Sequence, residues 1–428
     1  MAIPETITEE NVSVLATLKA APSGGPFALA AEYQYDQDPR KVDLTLGAYR
    51  DNDGKPWQLP SVKEAKRRMK IESRDHEYLP LRGSADFLEA AKDLVFGSSR
   101  SEKHLRSIAS IQTVSGTGAN SLIAAFLQRH TKPANIWLPD PTWVNHPDIW
   151  RASAPDVNIR SYPYYDESNR HFNFDGMMKT LRMQAHEHDA ILLHVCAHNP
   201  TGLDPKKEQW RKIATVCEEK KLFVIFDLAY QGFASGDLDE DAWAIRHFAT
   251  YPSLEIAVCQ SFSKNLGLYG ERTGALHVMI STVHASRASA STAPSASATI
   301  EAHLVDLQRA FISMAPRFGS EIATEVLSNP ELRGMWREDL RTMSGRIKEM
   351  RQALYDELVR LKTPGDWSHI VQQTGMLSYT GLSLEDVAVL KTKHHVYMLP
   401  SGRASICGLT PWNVRYTAEA IHNVVARR

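Results

Sequence analysis

Short apolar runs alternate with segments of helical periodicity between about Ala109 and Gly274. Four runs have the length of a strand and are rich in Ile, Leu, Val and Phe: "ANIWLP", "AILLHV", "LFVIFD" and "IAVCQS". Between two of them, "PKKEQWRKIATVCEEKK" places apolar residues at helical spacing and charged residues on the other face. Strands that alternate with helices are typical of a parallel sheet with crossover connections. The pattern predicts an α/β fold for this part of the chain.

Two other stretches differ from this pattern. The charged amphipathic segment Arg346 to Leu361 precedes short strand-like runs around "GMLSYTGL" and "HHVYMLP", which indicates a second, smaller α+β domain. The segment His284 to Ile300, "HASRASASTAPSASATI", is nearly all Ala and Ser. Its composition favours a flexible surface insertion over a functional lid.

Composition narrows the possible functions. The chain has 428 residues, 49 Lys and Arg, 50 Asp and Glu, and a net charge of -1, so no global field attracts nucleic acid or an anionic membrane. Any recognition of anions must be local. The N-terminus has neither a secretory nor an Arg-rich presequence pattern, and no segment approaches the length of a membrane span. Four widely spaced cysteines without CxxC spacing favour a reducing compartment, and we predict the cytoplasm.

Candidate chemistry follows the predicted strands. In open α/β sheets, ligands bind beyond the carboxyl ends of the strands. The residues that follow the strands here are Trp143, Asn199, Asp227, Tyr230 and the segment Ser261–Lys264. Taken singly, each has an ordinary structural interpretation, such as a cap, a solvated lysine or a core tryptophan. Their combination in one sheet needs a common explanation.

Phosphate recognition is the first part of that explanation. "SGTGANSLIAAFL", starting at Ser115, is a Gly-rich turn that enters an apolar helix. The unpaired N–H groups and the dipole at such a helix start suit a phosphate, although the motif alone is also typical of an ordinary cap. Arg272, with Ser261 and Ser263, would add donors to the same group.

An aldehyde-bearing pyridine explains the rest. A lysine among small residues at a strand end is open to desolvation, which lowers its pKa and makes the neutral amine a nucleophile toward an aldehyde. Lys264 has this setting. Asp227 would pair with a protonated pyridine nitrogen and keep the ring an electron sink. The cofactor that uses all of these groups is pyridoxal 5'-phosphate.

The motifs resemble those of the aspartate aminotransferase family, the fold-type I pyridoxal phosphate enzymes of aminotransferase class I. The resemblance runs from "GPFALAAEY" to the C-terminus through "VDLTLGAYRDNDGKPWQLP", "EYLPLRG", "SGTGA", "DPTWVNH", "LLHVCAHNPTG", "FDLAYQGFASG", "SFSKNLGLYGERTG" and "PSGRASICGLT". It implies a large domain with a mostly parallel sheet flanked by helices, and a smaller α+β domain. We divide the chain into 1–55, an N-terminal arm and the first part of the small domain; 56–342, the large cofactor-binding domain; and 343–428, the rest of the small domain.

The resemblance also implies roles for the matching residues. Lys264 matches the Schiff-base lysine, Asp227 the partner of the pyridine nitrogen with His146 behind it, and Trp143 the residue that stacks on the ring. Tyr230 and Asn199 match the residues that bind the ring hydroxyl oxygen. The phosphate would be held by Ser115, Gly116, Thr117, Ser261, Ser263, Arg272 and, from the neighbouring subunit, Tyr78. The substrate α-carboxylate would be held by Arg403, with the backbone at Gly47, Asn199 and Trp143.

The implied activity is an aminotransferase. It would interconvert L-aspartate plus 2-oxoglutarate and oxaloacetate plus L-glutamate by a ping-pong mechanism through a Lys264 Schiff base. Catalysis would depend on Lys264, Asp227, Tyr230 and Trp143. Active sites of this family are shared between subunits, so a homodimer is implied. The partners would be amino acids and 2-oxo acids, with no nucleic acid, membrane or metal.

The substrate side departs from the family pattern. Arg309 aligns with the partner-subunit arginine that meets a distal carboxylate, but the Asn-Pro-Pro that follows the next serine has become Met314-Ala315-Pro316. Thr45 replaces a usual glycine and would add bulk and a hydroxyl to the pocket, whereas Leu377 replaces an aromatic residue and would open space. Arg317 is a nearby cation that would compete with Arg309.

These departures leave two interpretations open. One is an intact dicarboxylate site with harmless variation. The other is a pyridoxal phosphate enzyme of altered specificity or reaction, such as another aminotransferase, a racemase or a decarboxylase. A catalytically silent protein is disfavoured because Lys264, Asp227 and Arg272 are all present.

Overall fold

Seven strands form the central sheet. The computed structural model describes residues 14–19, 25–70, 74–97, 108–281 and 295–427. Numbered along the chain, the strands lie in the order β2 (Ile108–Val114), β10 (Thr273–Met279), β9 (Ile256–Ser261), β8 (Phe223–Leu228), β7 (Ala190–His194), β3 (Asn135–Asp140) and β4 (Asn158–Pro163). β10 runs antiparallel to both of its neighbours, and the other pairs are parallel. The predicted α/β fold with a mostly parallel sheet is confirmed.

The four apolar runs singled out in the sequence are β3, β7, β8 and β9. They lack the polar alternation of a half-exposed strand because both faces of the sheet are covered. In β8, Val224 and Phe226 belong to one core cluster and Ile225 to the other, as the two-residue period of a strand requires.

Helices cover each face of the sheet. The helices Ser115–His130, Asn145–Ser153 and Ala296–Ile312 contribute to one core cluster. The opposite face is covered by Ala85–Phe96, Phe174–Gln184, Lys207–Glu219 and Trp243–Phe248. The predicted helix between β7 and β8 corresponds to Lys207–Glu219. Loops at the carboxyl ends of the parallel strands are thereby left free to form a site.

A second, smaller region packs beside the sheet. β1 (Val42–Asp43) pairs in parallel with β12 (Val396–Tyr397), and β11 (Leu377–Tyr379) pairs antiparallel with β13 (Arg403–Ser405). The helices Leu384–His394 and Val414–Val425 complete it. Pairing of β1 with β12 is consistent with a small domain built from both ends of the chain, and the division into domains stays a prediction.

The predicted helix from Arg346 to Leu361 is the second half of a longer one. The helix Pro330–Arg360 has 31 residues and crosses the predicted boundary at 342/343. It starts at Pro330 because the Asn329 side chain accepts hydrogen bonds from the N–H groups of Glu331 and Leu332. The sequence pattern indicated only the second half, but buried residues occur along the whole helix, from Leu332 to Leu358.

The remaining elements are short connections or lie at the edges. They are the helices Pro26–Tyr35, Pro60–Arg68, Leu238–Asp241, Arg317–Ser328 and His369–Gln372, the hairpin β5 (Tyr165–Asp166) and β6 (His171–Phe172), and the 3-10 turns Val14–Thr17 and Ile406–Gly408.

Part of the Ala/Ser-rich stretch is helical. Residues 284–294 lie outside the described residues, but 296–300 form the start of the helix Ala296–Ile312, so the predicted flexible insertion is wrong for those five residues. Ser295 caps this helix by accepting a hydrogen bond from the Ala298 N–H at 3.2 Å. Within the described ranges, no helix is long and apolar enough to cross a membrane.

Candidate active site

Three serines and an arginine form a cradle at the start of the helix Ser115–His130. Ser115 Oγ lies 2.9 Å from Ser261 Oγ and 2.8 Å from Ser263 Oγ. The Arg272 guanidinium donates to Ser263 Oγ at 3.3 Å. No side chain caps this helix start, so the N–H groups of its first turn after Ser115 have no intrahelical partner. The group has the donors and the dipole that a phosphate requires.

Backbone strain shapes the cradle. Ser115 has φ of 57°, a left-handed conformation that is rare for a residue with a side chain. Its N–H donates to the Arg272 carbonyl at 3.0 Å, which ties the two sides together. Gly274 allows this approach, since a Cβ there would lie 2.6 Å from the Ser115 backbone.

Gly116 and Thr117 complete the first helical turn. A Cβ at Gly116 would lie 3.2 Å from the Ser261 Cβ, so a small residue keeps the cradle open. Thr117 is only partly buried, on the same turn. All six residues predicted to bind phosphate within one chain therefore lie on the adjoining turns and strand ends of β2, β9 and β10.

Asp227 is a buried carboxylate at the end of β8. Its Oδ2 accepts a hydrogen bond from His146 Nε2 at 2.9 Å, and His146 Nδ1 lies 2.8 Å from Thr142 Oγ1. Burial raises the pKa of Asp227, but the hydrogen bond from His146 and the charges of His146, His194 and Lys264 outweigh it and hold the pKa below its ordinary value. Asp227 is therefore ionised at neutral pH and able to stabilise a positive charge in the cleft.

Lys264 lies where these groups converge. Burial lowers the pKa of its amine to about 8, Asp227 opposes the change, and Arg272 and Arg403 add to it. The side chain keeps partial exposure to the cleft, and Nζ lies 5.6 Å from the centre of the Tyr230 ring. A lysine with such a pKa has a substantial neutral fraction at physiological pH and acts as a nucleophile or a general base.

Tyr230, Asn199 and Trp143 line the same cleft. Burial raises the pKa of Tyr230, while Arg403 and a hydrogen bond with Asn199 oppose the rise. The Tyr230 hydroxyl therefore stays protonated and available as a donor. Trp143 is partly exposed and meets His146 edge-on, with ring centroids 5.1 Å apart. The exposed part of this indole, beside His146, is suited to stacking on a planar ligand.

Arg403 is buried opposite Lys264. Its Nη2 donates to the Thr45 carbonyl at 2.8 Å, whereas its Nε is buried without a partner among the described residues. Burial lowers the pKa of the guanidinium. A buried guanidinium with an unsatisfied donor edge fits a ligand carboxylate in the fork geometry that arginine favours.

Thr45 differs from its prediction, whereas Leu377 does not. The Thr45 hydroxyl donates to Asp43 Oδ1 at 2.6 Å, and the residue is fully buried, so the expectation that it adds a hydroxyl to the pocket is wrong. Leu377 faces Gly47, where an added Cβ would lie 3.8 Å from Leu377 Cδ2. Leu377 is thus the departure that borders the predicted carboxylate site.

Two predicted site residues lie outside this cleft. Tyr78 is 81% exposed, and Arg309 is exposed in the last turn of the helix Ala296–Ile312. Within the described ranges, neither side chain makes a hydrogen bond or ion pair with a cleft residue. Beside Arg309, Phe311 and Ile312 are 56% and 43% exposed, so this surface is partly apolar.

Arg317, the predicted competitor of Arg309, is already paired. It forms ion pairs with Glu321 at 2.7 Å and with Asp75, and it donates to the Glu77 carbonyl at 3.2 Å. A guanidinium held by two carboxylates has little left to offer a substrate.

Two residues near the cofactor cleft were not predicted. Asp204 accepts hydrogen bonds from the N–H groups of Ala197 at 2.7 Å and His198 at 3.0 Å, which fixes the loop before Asn199. Burial raises the pKa of Asp204 to about 6. His194 is buried beside His146, and burial lowers its pKa to about 3. In the sequence, Asp204 stood only as a polar residue after "NPTG", and nothing distinguished His194 from a core histidine.

The chain belongs to the aminotransferase class I and II family, whose model matches residues 39–421. It is 47% identical over 424 residues to an L-tyrosine:2-oxoglutarate aminotransferase of Aspergillus ustus, covering 97% of this chain and 79% of the relative. It is 44% identical over 418 residues to a cytoplasmic aspartate aminotransferase of Schizosaccharomyces pombe, covering 96% and 98%. The fold matches aspartate aminotransferase from the cytoplasm of Saccharomyces cerevisiae with a TM-score of 0.92 and 39% identity, covering 97% and 99%.

Class I aminotransferases use pyridoxal 5'-phosphate, so the predicted cofactor is confirmed. The cleft fits this group. The serine cradle and uncapped helix start suit its phosphate, and the ionised Asp227 suits its pyridine nitrogen. Asp227 Oδ2 is taken by His146, while Oδ1 has no hydrogen-bond partner in the described part of the chain. Lys264 lies between these sites with a depressed pKa.

Proposed function

We propose that this aminotransferase interconverts L-aspartate and oxaloacetate in one half-reaction and L-glutamate and 2-oxoglutarate in the other. The observation that carries the proposal is the meeting, in one cleft, of Lys264 with its depressed pKa, the ionised Asp227 and the unsatisfied Arg403. An amine, a charge partner for the cofactor and a carboxylate receptor are the three parts that transamination of an amino acid needs.

The cofactor would be held by residues from separate elements. Ser115, Gly116, Thr117, Ser261, Ser263 and Arg272 would bind its phosphate, Asp227 its pyridine nitrogen, Tyr230 and Asn199 its ring hydroxyl oxygen, and Trp143 its face. When bound, pyridoxal phosphate supplies an aldehyde that accepts the amino group and a ring that stabilises negative charge at the substrate α-carbon.

The protein residues position the substrate and move its proton. Arg403 would bind the α-carboxylate through the donor edge that it leaves unsatisfied, with the backbone at Gly47, Asn199 and Trp143. Lys264 Nζ would take the α-proton and return it on the cofactor side. A pKa of about 8 leaves the amine able both to accept and to release a proton near neutral pH.

The distal carboxylate of aspartate or glutamate would be bound by Arg309 of the partner subunit. Arg309 is exposed beside an apolar surface, and Arg317 is held by its own ion pairs. The same arrangement would bring the partner's Tyr78 to the phosphate. This proposal requires a homodimer, and we place the enzyme in the cytoplasm, as the name of the Schizosaccharomyces pombe relative states for that protein.

An aromatic amino donor is the second candidate. The Aspergillus ustus relative is named for L-tyrosine, and its 2-oxoglutarate acceptor suits the first candidate equally. Leu377 replaces a larger aromatic side chain beside Gly47, and Met314-Ala315 replaces the family's Asn-Pro, so both the α-carboxylate side and the distal side of the site have room to differ. Both candidates share glutamate and 2-oxoglutarate and differ only in the other substrate pair.

A substrate panel separates these candidates. The purified enzyme would be assayed with aspartate, tyrosine, phenylalanine and leucine, each with and without 2-oxoglutarate, and glutamate would be measured. A kcat/KM for aspartate well above that for tyrosine supports the first candidate, and the reverse supports the second. Product formed from a single amino acid without 2-oxoglutarate, beyond one turnover, would contradict both and indicate a racemase or decarboxylase.

A further inference from the structure

Arg317 connects the segment that carries Tyr78 to the helix Arg317–Ser328. Its guanidinium pairs with Asp75 and donates to the Glu77 carbonyl at 3.2 Å, while its Nε bonds Glu321 at 2.7 Å. Glu321 also pairs with Arg74 at 2.7 Å. The charged groups of this network are two cations and two anions: Arg74, Asp75, Arg317 and Glu321. Their ion pairs hold the residues just before Tyr78.

The other end of the same segment is fixed as well. Gln308 donates to the Leu81 carbonyl at 3.3 Å, and Arg82 pairs with Glu301 at 3.0 Å. Both partners lie on the helix Ala296–Ile312, which carries Arg309 in its last turn. Arg82 also accepts, at its carbonyl, a hydrogen bond of 2.9 Å from the N–H of Gln112 in β2.

Tyr78 lies between these two sets of contacts, and its side chain is exposed. Residues 74–80 form neither helix nor strand, and Tyr78 is 81% exposed. An irregular segment loses conformational freedom when its side chain is immobilised by a ligand, and this loss weakens binding. Ion pairs that hold the segment beforehand reduce the loss, provided that they hold it in the conformation that binds.

We propose that Arg317 is a positioning residue for cofactor retention: it holds the segment 75–78 so that Tyr78 reaches the phosphate bound in the partner subunit. The inference rests on the proposed function, in which the site is shared between two subunits. It assigns to Arg317 a role different from that of a second receptor for the distal carboxylate.

The test is a double-mutant cycle on the holoenzyme. Arg317→Met, Tyr78→Phe and the double variant would be compared by titration of pyridoxal phosphate, with the dissociation constant read from absorbance and dimer content from sedimentation. Arg415→Met is the matched control, because Arg415 and Glu419 form an exposed pair with the same i,i+4 spacing as Arg317 and Glu321, at 3.1 Å. Asp75→Asn removes the charge of the other member of the same ion pair. Agreement between the two variants would exclude misfolding of one of them as the cause.

We expect Arg317→Met and Asp75→Asn to weaken cofactor binding by about threefold to tenfold. Arg415→Met should leave binding unchanged. In the Tyr78→Phe background, Arg317→Met should have no further effect, because its contribution passes through Tyr78. The KM for aspartate should stay constant in Arg317→Met at saturating cofactor.

Additive effects of Arg317→Met and Tyr78→Phe would overturn the inference, as would a raised KM for aspartate at saturating cofactor. Failure of the proposed function has a different signature. In that case, Tyr78→Phe alone would leave cofactor affinity unchanged, or the wild-type protein would sediment as a monomer with full activity.

Discussion

The cofactor side and the distal substrate side of the cleft differ. A single chain supplies most of the residues of the cofactor side, whereas the distal side is proposed to need a residue of the partner subunit. On the cofactor side, Ser115, Asp227, Ser263 and Lys264 lie on turns and strand ends of one sheet and contact one another or share partners. On the proposed distal substrate side, Arg309 lies on an exposed helix end and forms no hydrogen bond or ion pair with the cleft in the described part of the chain. The family-like residues are retained in the first half, and most departures fall in the second.

This difference shows where reaction and specificity are determined. The cofactor half is buried, strained at Ser115 and closed by hydrogen bonds, so substitutions there disturb several groups at once. In the proposed dimer, the distal half would depend on exposed side chains of the partner subunit, and variation there would have little effect on the fold of one chain. The predictions below test this contrast, beginning with the changes of largest expected effect.

Replacement of Lys264 by alanine should abolish catalysis. The variant loses both the amine that binds the cofactor and the group that moves the α-proton, so we expect kcat to fall by at least about 10⁴-fold. Steady-state turnover with aspartate measures this. The phosphate cradle remains, so the variant should still bind pyridoxal phosphate non-covalently. Residual activity within a hundredfold of the wild type would show that the cofactor half does not depend on this residue.

Replacement of Asp227 by asparagine should have the next largest effect. It removes the proposed partner of the pyridine nitrogen, which is also the hydrogen-bond partner of His146, and loss of this electrostatic stabilisation should lower the rate by about 10² to 10³-fold. Single-turnover kinetics with aspartate would report it. His146→Gln, which keeps the carboxylate, should lose much less. Equal losses in the two variants would contradict the separate role of Asp227.

Replacement of Arg309 by alanine should separate the two halves. We expect kcat/KM for aspartate to fall by about 10²-fold, because a charge pair in a closed site is lost, while phenylalanine stays within about threefold. Arg309→Lys should give an intermediate result, since it keeps the charge without the fork. Cofactor affinity should not change. Equal losses of kcat/KM for aspartate and phenylalanine would show that Arg309 does not determine substrate specificity.

Cofactor capture by the apoenzyme should depend on the protonation of Lys264. Because burial holds the pKa of this amine at about 8, below its ordinary value of 10.5, the neutral form gains as pH rises through 8. The rate of pyridoxal phosphate incorporation should therefore rise about tenfold between about pH 7 and pH 9 and then level off. Stopped-flow absorbance measures it. Pyridoxamine phosphate, which lacks the aldehyde, should show no such rise; a parallel rise would assign the dependence to another group.

Replacement of Leu377 by phenylalanine should have the smallest effect. A larger ring beside Gly47 reduces the space near the carboxylate site, so we expect the preference for aspartate over tyrosine to increase by about threefold to tenfold. The ratio of the two kcat/KM values is the measurement. Leu382→Phe, at another buried leucine of the same region, serves as the packing control. An unchanged ratio would show that Leu377 does not determine the preference between aspartate and tyrosine.

The proximity of the residues in the cofactor half could be predicted from the sequence for a physical reason. Its residues follow apolar strands in an order that a parallel sheet converts into proximity, so β7, β8 and β9 bring Asn199, Asp227 and Lys264 to one edge. Short motifs sufficed because each group lies within a few residues of its strand. Neither Asp204 nor His194 was singled out, since a buried carboxylate that binds backbone N–H groups has no distinctive local pattern.

The distal half was harder to predict because its contacts are long-range. The Arg317 guanidinium is occupied by Asp75 and Glu77, which are about 240 residues away in the chain. The helix Pro330–Arg360 was predicted only from Arg346 on, although both of its halves carry buried residues and Asn329 followed by Pro330 is a signal for a helix start.

By itself, the sequence determined the fold class, the family and the cofactor, because strand order and the residues at strand ends are properties of short segments. Tertiary structure decided which charged groups are free: it left Arg403 with an open donor edge, placed Arg317 between two carboxylates and exposed Tyr78 and Arg309 at the surface. Hydrogen bonds and ion pairs depend on distances of a few ångströms between remote residues, and only the folded chain sets those distances.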